Sequence, residues 1–426
     1  MNRAAPRLSI DVFPALLAGL GAIIVGVLVV KSPPAAVAFV GLIAVGIATL
    51  RYGTFAAAAS AFALLPWMVT FEGVLPNQVG TLIASAGAAV LLTLVWPLEF
   101  ESRLIPFAAF LFVGVTLGHL ALSSDKEQFF QAAKYLDFAG VALATTSTRG
   151  RELMPRFKRP VYGSCVAAMG VQLLVIMAGL GRVGTYYHAG ERLGFTGEAP
   201  HPLALMTMVI AAAGLCTSTS LRKGLLFALG AVPSAFTGVR SALFGLFAAL
   251  LTFLGKSDAK LRAALVLGVI ATVAFATGAL DVLTHRIANQ GSEFSSLATA
   301  GSGRGEIWTA ALRGWEHAGP WAWGLGTGLR SIPAFELKEL GVELIGHSDI
   351  VEVLVQFGVI GFAGFLGIWL GLLRSPSNSI ILVPILAFGA VNGSLEYVSS
   401  LTIGLVLAAC FAGGRRAGSS SSPPSG

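Results

Sequence analysis

The stretch GHSDIVEVLVQFGVIGFAGFLGIWLGLL, residues 346–373, decides the fold. It opens on His347, Ser348 and Asp349 and then turns apolar, with Glu352 and Gln356 as the remaining charged or amide side chains. A helix needs about 20 apolar residues to cross a bilayer core, and residues 350–373 supply them. Gly364, Gly367 and Gly371 recur at helical spacing, which suits the close helix packing used in lipid. The segment reads as a membrane helix entered from a long polar interval, residues 281–349. That interval begins DVLTHRIANQGSEFSSLATAGSGRGEIWTAALRGW and holds three of the chain's 6 histidines, His285, His317 and His347.

The composition agrees. Of 426 residues, 55% are hydrophobic and 12% charged, with a mean hydropathy of +0.80. Soluble domains carry about 25% charged residues, so half that share marks a polytopic membrane protein. Apolar windows of spanning length place candidate spans at 12–30, 33–50, 54–71, 78–96, 104–122, 127–147, 161–181, 202–220, 224–239, 241–254, 263–280, 350–373, 379–393 and 397–412. The pairs around Arg240 and Glu396 are short enough to be tight hairpins or re-entrant pairs. The expected fold is all-α and polytopic, with about 12–14 transmembrane helices and one large outer loop containing short helices. The basic start, Arg3 and Arg7, runs into an apolar stretch too long for a signal sequence, so it reads as a first anchor. The tail at 413–426 reads as disordered. Cys165, Cys216 and Cys410 all fall in apolar runs, where cysteine packs as a small hydrophobe.

Lys and Arg set the orientation. With the N-terminus in the cytoplasm, most of the 28 basic residues fall on the cytoplasmic side, including the cluster RGRELMPRFKR at 149–159. The net charge of +7 is then largely a topological signal, and nucleic acid is not an expected partner. Several arginines resist the bias and fall on the outer side: Arg192, Arg240, Arg286, Arg304, Arg313 and Arg330. Within the outer loop, GRGEIWTAALRGW at 303–315 puts Ile307, Ala311 and Trp315 on one helical face. A second short helix runs through Pro333 to Leu340, and the Gly-rich PWAWGLGTGLRS between them reads as a tight loop.

Candidate chemistry concentrates on this side. Arg240, in FTGVRSALFGL, has apolar helix on both sides, and a charge at that depth is expensive enough to mark function or a snorkelling anchor. His347 stands where the loop re-enters the membrane, and a neutral-range pKa suits a general base. Arg192, Arg286 and Arg304 sit near predicted helix ends, and guanidinium forks match phosphate oxygens bidentately. The plainer reading of each is a satisfied histidine or a solvated loop charge. Three patterns carry less. Gly179-Leu-Gly181-Arg-Val-Gly184 fits a dinucleotide fingerprint but ends a span instead of following a strand. His347, Asp349 and Glu352 lack the spacing of a standard metal site. Asp125 and Glu127 form a short acidic pair only.

The ordered set ERLGFTGEAPHPLA (191–204), TGVRSALFGL (237–246), SGRGEIWTAAL (302–312), GPWAWGLGTG (319–328) and GHSDIVEVLVQFGVIG (346–361) resembles the bacterial O-antigen ligase and polymerase superfamily of membrane glycosyltransferases. Two positions depart from the family's usual pattern: Ser348 and His201 stand where asparagine is common. The resemblance implies a C-type glycosyltransferase fold in the inner membrane, with both termini cytoplasmic and a periplasmic active site. N-terminal helices over 1–160 would precede a catalytic membrane region over 161–412 that includes the periplasmic loop 281–349. It implies an undecaprenyl-pyrophosphate-linked glycan donor, a lipid A–core or glycan acceptor, and neither cofactor nor metal. Arg192, Arg240, Arg304 and, with them, Arg286 would hold the pyrophosphate, and His347 would activate the acceptor hydroxyl. Ligase and polymerase remain open, and an anion or lipid-linked-glycan transporter is the reading from another class.

Overall fold

The computed structural model describes residues 53–70, 77–123, 126–177, 182–185, 191–194, 200–217, 220–237, 239–254, 304–340, 348–374 and 376–412. The predicted spans at 12–30, 33–50 and 263–280 lie outside the described residues. The described elements are α1 (Thr54–Thr70), α2 (Asn77–Leu94), α3 (Leu104–Ala121), α4 (Lys126–Thr146), α5 (Thr148–Met177), β1 (Arg182–Thr185), β2 (Glu191–Gly194), α6 (Pro200–Leu215), α7 (Ser220–Phe236), α8 (Arg240–Leu254), α9 (Arg304–His317), α10 (Pro320–Leu325), α11 (Ser331–Leu340), α12 (Asp349–Leu372), α13 (Pro376–Asn392) and α14 (Val398–Ala412). Helices α3 and α12 are long and apolar enough to cross a membrane, and shorter apolar helices accompany them. The described architecture is consistent with a helical membrane protein.

Three features depart from the sequence reading. The all-α expectation meets one antiparallel hairpin, β1 with β2, in which Gly184 pairs with Arg192. The basic cluster at 149–159 is the start of α5, which runs unbroken through Pro155 and Pro160. PWAWGL is helix rather than loop: Pro320 takes the first helical position, where a missing N–H costs nothing, and Gly319 and Gly326 bound it at positive φ. Arg240 stands between two apolar helices as read from the sequence, opening α8 after α7 ends at Phe236. The predicted outer-loop helices stand as α9 and α11.

Helices α6 and α14 occupy the middle. Nearly every residue of α6 from Pro200 to Leu215 is buried, and α14 is buried from Ser400 to Phe411. A helix apolar all round belongs inside a bundle. On one flank α12 packs along α3 through its glycine stripe. A Cβ on Gly364 would stand 2.7 Å from the Ala108 oxygen and 2.8 Å from the Phe112 nitrogen, so the two backbones meet only because that side chain is absent. Phe112, Tyr135, Phe138, Phe357 and Phe365 close the seam between α3, α4 and α12 with mostly edge-to-face ring contacts, the arrangement ring quadrupoles favour.

Helix α12 breaks at Gly358, whose φ of 63° and ψ of −171° leave the helical region. The break frees the carbonyls of Val355 and Gln356 from their helical donors. A stretch of the outer loop replaces them: the Thr327 N–H and hydroxyl both donate to the Val355 oxygen (3.0 and 2.9 Å), and the Gly328 N–H donates to the Gln356 oxygen (3.1 Å). Buried backbone that leaves the helical pattern persists when other protein groups satisfy it in this way. The His119 ring nitrogen Nε2, near the end of α3, lies 2.7 Å from the Leu325 oxygen and holds the same loop. Arg330, at φ 60°, pairs with Glu127 at the start of α4.

Gly364→Ala is expected to lower stability by about 1–3 kcal/mol, the range for overpacking a tight contact. Gly114→Ala, on the same pair of helices but with nothing within 4 Å of its added methyl, is expected to leave it unchanged. Thermal unfolding of the purified protein in nanodiscs checks both, and equal midpoints for the two variants would remove the glycine seam from the account.

Candidate active site

Polar residues gather where α12 begins. Ser348 is its N-cap, extended at φ −152° and ψ 115°. Its hydroxyl accepts from the Val351 N–H (3.4 Å) and donates to the Ala390 oxygen of α13 (2.9 Å). Asp349 follows in the first turn, buried. Its carboxylate accepts the Ser394 N–H (3.0 Å), the Ser394 hydroxyl and the Leu395 N–H (2.9 Å), all from the turn joining α13 to α14. Gly389 makes room for it, since a Cβ there would stand 2.1 Å from Asp349 Oδ2. One carboxylate thus clasps a membrane hairpin to the start of α12. His347 lies outside the described residues, and the chain delivers it directly before this fixed cap.

The hairpin turn carries charge of its own. Glu396 accepts from Lys134 Nζ of α4 at 2.6 Å, with both side chains about one-fifth exposed. Asn392 Nδ2 donates to Nδ1 of His201 (3.0 Å), which leaves the proton of a neutral His201 on Nε2, and the ring stacks on Tyr397 at 6.1 Å. The Ser400 hydroxyl donates to the Pro202 oxygen (2.8 Å). Glu352 is 2% exposed, one turn along α12 from Asp349, and its Oε2 makes no hydrogen bond.

Arg240 belongs to this end of the bundle. Helices α6 and α7 run antiparallel, with Gly214 against Leu226 and Phe227 and Gly230 against Thr207 and Ala211. Helix α8 folds back along them, with Gly245 against Met208 and Phe253 beneath the Lys223 ammonium at 5.5 Å. At 1.5 Å per residue, Arg240 rises about 8 Å beyond the Met208 level and His201 about 10 Å, so the two stand in nearly one layer. Arg240 is half-buried there. Arg304 opens α9, whose Ala311 is buried with Ile332 and Val355, so the helix packs over the first half of α12. Arg192 stands on β2 opposite Gly184. Arg286 lies outside the described residues, as does Asp125, while Glu127 is the partner of Arg330.

The sequence reading passes over Lys134, although an ionisable residue inside a predicted span is itself a signal. Glu396 and His201 were visible only as a hairpin marker and a motif departure. The Asp349 clasp had no local signal, because its partners lie 45 and 46 residues away.

Asp349→Ala is expected to cost about 1–3 kcal/mol for each buried donor it orphans. Ser394→Ala removes one partner and is expected to cost less. Thermal midpoints of the two variants test the clasp, and a larger loss in Ser394→Ala would contradict it.

Comparison with known proteins completes the description. Residues 224–366 match the family model described as O-antigen ligase, from the first turns of α7 into the second half of α12. The match contains Arg240, Arg286, Arg304, Arg330, His347 and Glu352, and it stops short of the hairpin turn that clasps Asp349. No curated protein matches the chain. The quoted segments from Thr237 onward all fall within residues 224–366, and over that stretch the chain matches the O-antigen ligase family.

Proposed function

We propose that this chain is a membrane glycosyltransferase that moves a glycan from an undecaprenyl-pyrophosphate donor to lipid A–core or a related acceptor on the periplasmic face. The observation that carries the reading is the fixed start of α12. It sits inside the family match, beside His347 in sequence, and at the same end of the bundle as Arg240.

The chemistry follows from the residue types. A glycosyl pyrophosphate is already activated, so the transfer needs stabilisation of the leaving group and a base for the acceptor. The acceptor oxygen attacks the anomeric carbon, and the bond from that carbon to the pyrophosphate oxygen breaks. The acceptor proton passes to His347, and undecaprenyl pyrophosphate departs with the bonding pair. A single displacement inverts the anomeric centre. Arg192, Arg240, Arg286 and Arg304 are assigned to the pyrophosphate, where fixed guanidinium groups in a low-dielectric surrounding oppose the developing charge. Lys134 and Glu396 neutralise each other nearby, which leaves the arginine charge to the donor. No step calls on a metal.

His347→Ala is expected to cut transfer by about 10²–10⁴-fold, the range for losing a general base. Arg240→Ala is expected to cut it comparably, with Arg240→Lys intermediate because it keeps charge without the fork. The assay offers purified protein the donor with lipid A–core and a second lipid-linked glycan side by side, with and without chelator. Transfer to lipid A–core that survives chelation and fails in His347→Ala supports the ligase reading. Extension of the lipid-linked glycan would make the protein a polymerase, and undiminished transfer by His347→Ala would overturn the mechanism.

A further inference from the structure

The short helix α10 carries no charged residue, yet its tryptophans face outward: Trp321 is 84% exposed and Trp323 45%. The Trp323 indole N–H already donates to the Glu316 oxygen (3.0 Å) and that of Trp315 to the Ala322 oxygen (2.8 Å). What Trp323 leaves uncovered is therefore ring. Large exposed aromatic surface on a rigid helix marks an interaction site.

The position of α10 along the bundle identifies what covers it. Gly371 meets Ile105, Gly367 meets Ala108, Gly364 meets Phe112 and Gly361 approaches Val115, an antiparallel ladder that brings Gly358 level with the outer end of α3. There Gly358 abuts Gly324 and Gly326 of the outer loop, and His119 of α3 holds the Leu325 oxygen. Helix α3 has 18 residues, about 27 Å at 1.5 Å per residue, against a bilayer core of about 30 Å. A contact at residue 119 of such a span stands at the membrane surface. The apolar wall below continues without interruption: Phe107, Phe110 and Leu117 of α3 and Val359, Ile360, Leu366 and Leu370 of α12 are all exposed.

We propose that α10 lies in the outer membrane–water interface with Trp321 and Trp323 seated among lipid headgroups, so that the outer-loop helices rest on the bilayer beside the polar cleft. The inference rests on the reading of α3 and α12 as membrane spans. Indole rings favour this layer, where one part of the ring meets apolar chains and another meets water. The consequence is that a lipid-borne substrate meets the loop while still in the membrane.

Spin labels at two positions test it. In a background with Cys165, Cys216 and Cys410 replaced by alanine, single labels are placed at Trp321→Cys and Phe110→Cys in nanodiscs. Collision rates with oxygen and with a water-soluble nickel chelate are then compared. Oxygen exceeding nickel at 110, with an oxygen-to-nickel ratio at 321 between that at 110 and that of a free label in water, is the expected result. Oxygen dominating at 110 with the free aqueous ratio at 321 would overturn the proposal while leaving the membrane reading intact. Nickel dominating at 110 would overturn the spans themselves and the proposal with them. A label at 321 shielded from both reagents would replace the bilayer with a second copy or a protein partner. Trp321→Phe in the native cysteine background gives an independent check: quenching of tryptophan fluorescence by brominated lipids should fall, and unchanged quenching would overturn the proposal.

Discussion

The break in α12 at Gly358 is the constraint around which the outer half of this protein is arranged. An interrupted helix leaves carbonyls without their helical donors, and the Val355 and Gln356 oxygens find replacements on Thr327 and Gly328. The loop that supplies them must stay docked for α12 to persist. Because that loop joins α10 to α11, the outer helices are part of the membrane bundle's hydrogen bonding rather than a separate cap. The Arg330 contact with Glu127 and the His119 contact with Leu325 secure the same loop from α4 and α3.

At the start of α12 the problem is charge. Asp349, Glu352, Glu396 and Lys134 are gathered among largely apolar helices, where each would be costly alone. Two kinds of solution appear. Asp349 spends its lone pairs on the donors of one hairpin turn, and Glu396 takes the Lys134 ammonium. Glu352 retains an oxygen with no hydrogen bond. The result is a rigid polar end, set by backbone contacts, at which His347 and the Arg240 helix are presented.

Much of this architecture was legible in the sequence. Apolar windows locate α1 to α4 and α12 to α14 closely because burial in lipid demands length, and length is countable. The face formed by Ile307, Ala311 and Trp315 predicts the buried side of α9. The illegible parts share a cause. PWAWGL resembles a loop because its glycines and proline signal irregularity, while Pro320 in fact starts a helix. The basic cluster with Pro155 and Pro160 resembles a connection, while tertiary packing carries α5 through it. The Asp349 clasp joins residues far apart in the chain, and no local pattern announces such a pair. Arg240 was singled out for its depth, yet its place in nearly the same layer as His201 emerges only from the packing of α6, α7 and α8.

The clasp also imposes an order on how the protein is made. Asp349 is synthesised before Ser394 and Leu395 exist, since its donors are 45 and 46 residues downstream. At 5–20 residues per second of synthesis, roughly 2–9 s separate the carboxylate from its partners. During that interval the first turn of α12 has reason to linger in water or in the insertion machinery. Only the arrival of the α13–α14 hairpin lets it settle. The last hairpin of the described chain is thus what completes the buried cap at the start of α12.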